Sequence, residues 1–183
     1  MSSEDPPAPH SPAAHTYRVS VRWTGNRGVG TAGYRAYGRD HDVAAPGKPT
    51  IPGTADPAFR GDPERWSPED LLVAALAQCH QLWFLHLAAE AGVIVTAYTD
   101  DPLGTMAINP DGSGQFTQIL LRPRVTVADE AMIETAQSLH GRAGALCFIA
   151  RSVNFPVLHE PAATPAESML AFLTRLEAAV AAG

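Results

Sequence analysis

The sequence predicts one folded unit of mixed helix and strand, and three observations carry that reading. Tyr17, Val19, Val21 and Trp23 alternate with Thr16, Arg18, Ser20 and Arg22, the period of two expected of a strand with one buried face. "SPEDLLVAALAQCHQLWFLHLAAEAG", residues 67–92, opens with a helix cap and continues as an almost unbroken apolar helix. Beyond it, apolar runs on either side of "NPDGSG" read as antiparallel strands joined by a turn. With 183 residues, 45% of them hydrophobic, the chain suffices for one domain, or for one domain that completes its core by dimerising.

The elements follow in order. The first fifteen residues are rich in Pro, Ser and Ala, without periodic pattern, and read as a disordered tail. After the first strand "TGNRGVGTAG" turns the chain, and residues 31–45 read weakly as one or two further strands. "APGKPTIPGTADPAFRGDPERW" carries too many Pro and Gly for regular structure and is expected to be a long loop. Ser67 is placed to cap a helix, with Pro68 at its first position and Glu69 and Asp70 in the first turn, where carboxylates favour the positive end of the dipole. The helix should stop at Gly92, and because nearly every position from Leu71 to Ala89 is apolar or small it should be surrounded on all sides. Residues 93–97, 106–108 and 116–127 read as strands, a second helix as running from Asp129 to Gly144 with Cys147 just beyond it, and "FIARSVNFPVLHE" as leading to another strand. "TPAESMLAFLTRLEAAVAA" has the start signals and leucine spacing of a terminal helix.

Composition narrows the partners. A net charge of −6 and scattered basic residues offer no electrostatic footprint for nucleic acid or for an anionic membrane. The N-terminus lacks the features of a secretory signal, and no apolar run of roughly 18 residues suggests a membrane span, so the expected location is the cytoplasm. There the cellular thiol pool would keep Cys79 and Cys147 reduced, which leaves buried thiols, metal ligands or redox chemistry.

Three readings of the cysteines stand at this level. Cys79 shares a stripe with Leu72, Leu76 and Trp83 and suits core packing. A metal site would draw on Cys79, His80, Cys147 and either His86 or His140, although the usual close ligand pairs are missing. A peroxide-reducing pair would need one thiol held as thiolate and a second to condense with its sulfenic acid.

"SPEDLLVAALAQC" resembles the helix start of the OsmC/Ohr family, the osmotically inducible and organic hydroperoxide resistance proteins, in the interval from Pro68 through Glu69 to Cys79. "GALCFIARSVNFPV" resembles the segment that carries that family's second cysteine. The resemblance covers residues 16–160, leaving the tail (1–15) and a C-terminal helix (161–183) expected to pack on the same domain. It implies an α+β fold in which two chains intertwine as a homodimer, with antiparallel sheets around long central helices. It also implies a cofactor-free thiol peroxidase that reduces organic hydroperoxides. In that scheme Cys79 attacks the peroxide, Cys147 resolves the sulfenic acid as a disulfide, an external dithiol such as a lipoyl group reopens it, and Glu69 holds an activating arginine.

A straight helix rises about 15 Å over ten residues, so Glu69 meets Cys79 only if the helix begins later than its cap signals say, or if it serves a partner chain's cysteine. Two loops offer the arginine. In "AFRGDPERW", Ala58 stands at the place of one family branch's arginine and Arg60 follows Phe59; "TGNRGVG" supplies Arg27 where the other branch has its own. Arg60 is preferred to Arg27, with Arg65 behind both. His80 is expected to be a core or interface histidine bonded to a backbone carbonyl, or else to tune the thiol, and His86 also departs from the family's apolar neighbours. Trp66, Trp83, Phe84 and Phe148 suit either plain core or a pocket for an alkyl hydroperoxide. Without a well-placed arginine the chain would instead be a non-catalytic redox-sensing or small-ligand-binding member.

Overall fold

A computed structural model of the chain describes residues 14–167 and divides it into two compact units, residues 1–68 and 69–183. In the first unit β1 (Ser20–Trp23), β2 (His41–Ala44) and β3 (Ile51–Gly53) form an antiparallel sheet in that order, with Trp23 opposite His41 and His41 opposite Gly53. Residues 31–45 therefore supply one strand. The segment expected to be loop holds β3 and a single 3-10 turn, Pro57–Phe59, capped by Asp56, whose Oδ1 accepts from the Ala58 amide at 2.7 Å. Pro52 is tolerated in β3 because its carbonyl still accepts from the Trp66 amide at 3.2 Å and the strand is only three residues long. The alternation in β1 is real, but its apolar side is uncovered: Val21 is 68% and Trp23 42% exposed, which corrects the expected buried face.

The second unit is built on α1 (Pro68–Glu90). Gly92 ends it at φ 72, with its amide bonded to Ala89 O at 3.2 Å and the Val93 amide to Ala88 O at 2.9 Å, a left-handed terminus that glycine adopts without strain. β4 (Val95–Thr99), β5 (Leu103–Ile108), β6 (Gly114–Leu121) and β7 (Arg124–Val127) follow, with the 109–113 turn between β5 and β6 closed by Asn109 N–H to Ser113 O at 2.7 Å. The stretch 116–127 is two strands rather than one, split at Pro123, which has no amide to donate. Asp129 caps a 3-10 turn over Glu130–Met132, and α2 (Ile133–Leu146) continues from it. β8 (Val157–His159) and β9 (Ala162–Pro165) complete two three-stranded sheets, β4-β7-β9 and β5-β6-β8, in which β8 and β9 pair parallel with β6 and β7. The antiparallel reading is thus corrected at β8 and β9. The Thr164-Pro165 pair expected to begin a terminal helix lies in β9, the Ala166 amide bonds Val127 O at 2.7 Å, and the part of that expected helix from residue 168 on falls outside the described residues.

Two apolar clusters hold this unit. Phe84, Leu87 and Ala88 of α1 pack with Val125 and Val127 of β7 and with Ala136 and Ala143 of α2. Leu76 packs with Ile119 and Leu121 of β6. The buried positions of α1 are Leu76, His80, Phe84, Leu87 and Ala88, a single stripe, while Leu82 is 67% exposed. The expectation of a helix surrounded on all sides is corrected for one chain: between Leu71 and Ala88 the positions are buried or half-buried except for one exposed stripe, Gln78, Leu82 and His86. At 23 residues α1 is also long and apolar enough to cross a membrane, which corrects the expectation that no run has that length; core helices of soluble proteins pass the same test.

Candidate active site

Cys79 lies eleven positions into α1, on the flank of the buried stripe, and is half-buried. Cys147 caps the C-terminus of α2, turning the backbone to an extended ψ of 112 with its amide on Gly144 O at 3.3 Å, and is 1% exposed. The two thiols meet: the Cys147 S–H is hydrogen-bonded to Cys79, and its sulfur accepts from the Ala150 amide at 3.4 Å. Both are free thiols. Burial, reinforced by the bond to Cys79, pushes the Cys147 thiol up from its ordinary 9.0 to about 11. The half-buried thiol is the one open to a reactant, and the buried one is held toward its protonated form beside it.

Trp83, one turn beyond Cys79, and Phe148, next to Cys147, meet edge to face with centroids 5.5 Å apart and form an apolar shelf beside the thiols. Phe148 is 66% exposed, so the shelf is open to solvent, and Leu82, Trp83 and His86 line a shallow depression along α1. Phe84, by contrast, is core, stacked on His140 at 4.2 Å. Trp66 belongs to the first unit.

The remaining candidates divide. Glu69 sits in the first turn of an unbroken α1, so the helix does begin at its cap signals and about 15 Å of helix separate this glutamate from Cys79. Its Oε2 is buried without a hydrogen-bond partner. Arg60 is exposed, at a left-handed φ of 69 that closes the 3-10 turn. Arg27 is exposed in the turn where Asn26 Oδ1 accepts from the Gly28 and Gly30 amides at 2.9 and 3.1 Å. Arg65 is engaged by Asp62 at 3.7 Å and Asp40 at 4.0 Å. All three arginines belong to the first unit.

The histidines correct the expectation. His80 is bonded to another ring, His140, at 3.0 Å between its Nε2 and Nδ1, and not to a backbone carbonyl. His159 of β8 joins them, 4.5 Å from His80. His86 is exposed and pairs with Glu90 at 3.4 Å. Among the described residues no group of three or more His, Cys, Asp or Glu side chains could hold a metal ion, so the proposed set of Cys79, His80, Cys147 and His86 or His140 is not assembled. His159 was missed in the sequence because it lies 79 positions from His80 and its strand carries no local signal of a partner.

The family model described as "OsmC-like protein" matches residues 61–160. Among solved structures, an OsmC-like protein of unknown function from Vibrio cholerae is similar with 29% identity and a TM-score of 0.72, covering 81% of this chain and 99% of that one. The organic hydroperoxide resistance protein of Bacillus subtilis is 19% identical with a TM-score of 0.55, covering 83% of this chain and 100% of its own. An organic hydroperoxide resistance protein from Elizabethkingia anophelis, with crystallant-derived thiocyanate bound, is 13% identical with a TM-score of 0.62, covering 85% of this chain and 99% of that one. At those two identities the likeness concerns the fold alone. No curated protein matches the chain significantly in sequence.

Proposed function

Because this chain belongs to the OsmC-like protein family, with its mixed α+β fold, we propose that it is a thiol peroxidase that reduces organic hydroperoxides to alcohols. The observation that carries the reading is the pairing of a half-buried Cys79 with a buried, hydrogen-bonded Cys147 beside the Trp83–Phe148 shelf. The Cys79 thiolate attacks the terminal peroxide oxygen; the O–O bond breaks, the alkoxide leaves and takes a proton as the alcohol, and Cys79 becomes a sulfenic acid. The Cys147 sulfur then attacks the Cys79 sulfur, an S–S bond forms, and the S–O bond breaks with loss of water. An external dithiol, such as a lipoyl group, exchanges with this disulfide and is itself oxidised. The sum is hydroperoxide plus dithiol giving alcohol, water and disulfide.

The activating cation in this proposal is Arg60 or Arg27, and its anchor is Glu69 of a second copy. The continuous α1 keeps Glu69 from its own Cys79, and its buried, unpartnered Oε2 suits a guanidinium fork. A homodimer is also suggested by the uncovered face of α1, where Leu82 is exposed, and by the exposed apolar side of β1. Free thiols and a dithiol reductant suit the cytoplasm. The test is catalytic consumption of cumene hydroperoxide with dihydrolipoamide, lost in Cys79→Ser. The rival, a redox sensor, is favoured by the exposure of Arg60 and Arg27; it predicts a single oxidation of the thiol pair without turnover.

A further inference from the structure

Three imidazoles stack where the two thiol-bearing helices and β8 converge. His80 is fully buried on α1 and His140 is 3% exposed on α2; their rings lie 11° from parallel with centroids 5.3 Å apart, joined by the 3.0 Å bond. His159 tilts onto His80 and presses on Gly144, where even a Cβ would stand 2.8 Å from its Cε1. His80 Nδ1, His140 Nε2 and His159 Nε2 are buried without partners. Whichever ring donates in the His80–His140 bond, one N–H and one lone pair of that pair are left over. The cluster is therefore held by packing and by a single hydrogen bond, and it adjoins both thiols in the chain: Cys79 precedes His80, and Cys147 follows Gly144 by three residues.

We propose that His80, His140 and His159 are positioning residues that form an acid-sensitive clasp on the thiol pair, closed when neutral and opened by protonation. The proposal rests on the thiol-pair reading above and adds to it a control on when Cys147 can reach Cys79. The physical reason is that no countercharge faces the rings among the described residues. The electrostatic influences on His80 are His159 and His140, and that on His140 is His159; among the described residues no carboxylate or cation shifts any of the three. Of the neighbouring titratable groups, Cys79 and Cys147 are thiols, and Tyr98 of β4 meets Phe84 at 5.8 Å between ring centroids, Phe84 in turn stacking on His140. Glu160, next after His159, is exposed. Burial first, and the neighbouring imidazoles second, hold His80 down to about 3 and His140 to about 4, and burial lowers His159. Two positive rings at these separations would repel without relief. Opening between α1, α2 and β8 restores their ordinary basicity and separates the sulfurs.

The test uses the reduced full-length chain with Cys79→Ser and follows modification of Cys147 by 4,4′-dithiodipyridine from pH 7 to 4.5. Each rate is divided by that of glutathione at the same pH. Both thiols react as thiolates far below their pKa, so the ratio cancels the titration of sulfur and reports access to Cys147. The ratio is expected to rise on acidification, about tenfold per pH unit for each imidazole that gains a proton on opening, while far-UV circular dichroism stays native. His140→Gln should lower that slope by about one power of ten per unit, His159→Gln should lower it in the same direction, and His86→Gln, on the exposed face, should leave it unchanged. A ratio that stays flat until the circular dichroism is lost, or an equal slope in every variant, overturns the clasp. No peroxide enters the measurement, so a failure of peroxidase turnover and a failure of the clasp are read separately.

Discussion

The division of labour between the two cysteines can be tested by alkylation of the reduced native chain at pH 7.5 with a small excess of iodoacetamide. Cys147 stands at about 11 against its ordinary 9.0, a displacement of two units that leaves about one hundredth of the thiolate of an unperturbed cysteine. Its near-complete burial, at 1% exposure, slows reagent access further. Peptide mapping by mass spectrometry should therefore find Cys79 carbamidomethylated while Cys147 labels at least about 100-fold more slowly than a free cysteine. In urea, where burial is lost, both should label at similar rates. If Cys147 in the native chain labels as fast as Cys79 or faster, the assignment of attacking and resolving thiols is refuted, because the more accessible thiolate would then sit at the end of α2.

Three further outcomes follow from the same geometry. Of Arg60→Ala and Arg27→Ala, the one that removes the activating cation should lower kcat/KM for cumene hydroperoxide about 100-fold or more, and Glu69→Gln should move the same parameter in the same direction; if neither arginine matters, the sensor reading gains. Chemical denaturation at pH 7.5, 6 and 5 should show stability falling with acidification. His80 and His140 bind their protons near 3 and 4 in the folded chain against 6.5 when unfolded, so their contribution is complete above pH 6.5 and is lost as pH falls toward those values, at about 1.4 kcal/mol per pH unit for each imidazole. Stability that is constant or rises over that range would contradict the neutral cluster. Gly144→Ala, which in an open helix would stabilise by about 1 kcal/mol, should instead destabilise by about 1–3 kcal/mol, because the added methyl meets a His159 ring already packed on His80; a raised melting temperature would refute that packing.

Local chemistry was legible in the sequence wherever one residue acts on its own neighbours. Gly92 as the stop of α1, the turn at 109–113 and the Asp129 cap all depend on backbone conformation or on side chains that reach two or three residues. The two cysteines stood out by residue type and interval as well, but that they would meet did not show in the sequence. Long-range pairing overrode weaker local signals. Thr164 and Pro165 carry a helix-start pattern, yet Ala162–Pro165 runs parallel to β7, with Pro165 opposite Val127, because the ladder satisfies backbone groups that a cap alone would leave open. In the same way β3 forms in a segment full of Pro and Gly because β2 offers it a partner.

By itself the sequence determined the helix that carries Cys79, its stop at Gly92 and the presence of two cysteines at the intervals of the family. Tertiary structure decided which face of α1 is buried, that Cys147 is the more deeply buried thiol and is pushed up by that burial, that Glu69 stands about 15 Å of helix from its own Cys79, and that His80, His140 and His159 share one site. Caps, turns and residue types act over a few positions, whereas burial and hydrogen bonding between residues as far apart as 79 and 147 exist only once the chain has closed on itself.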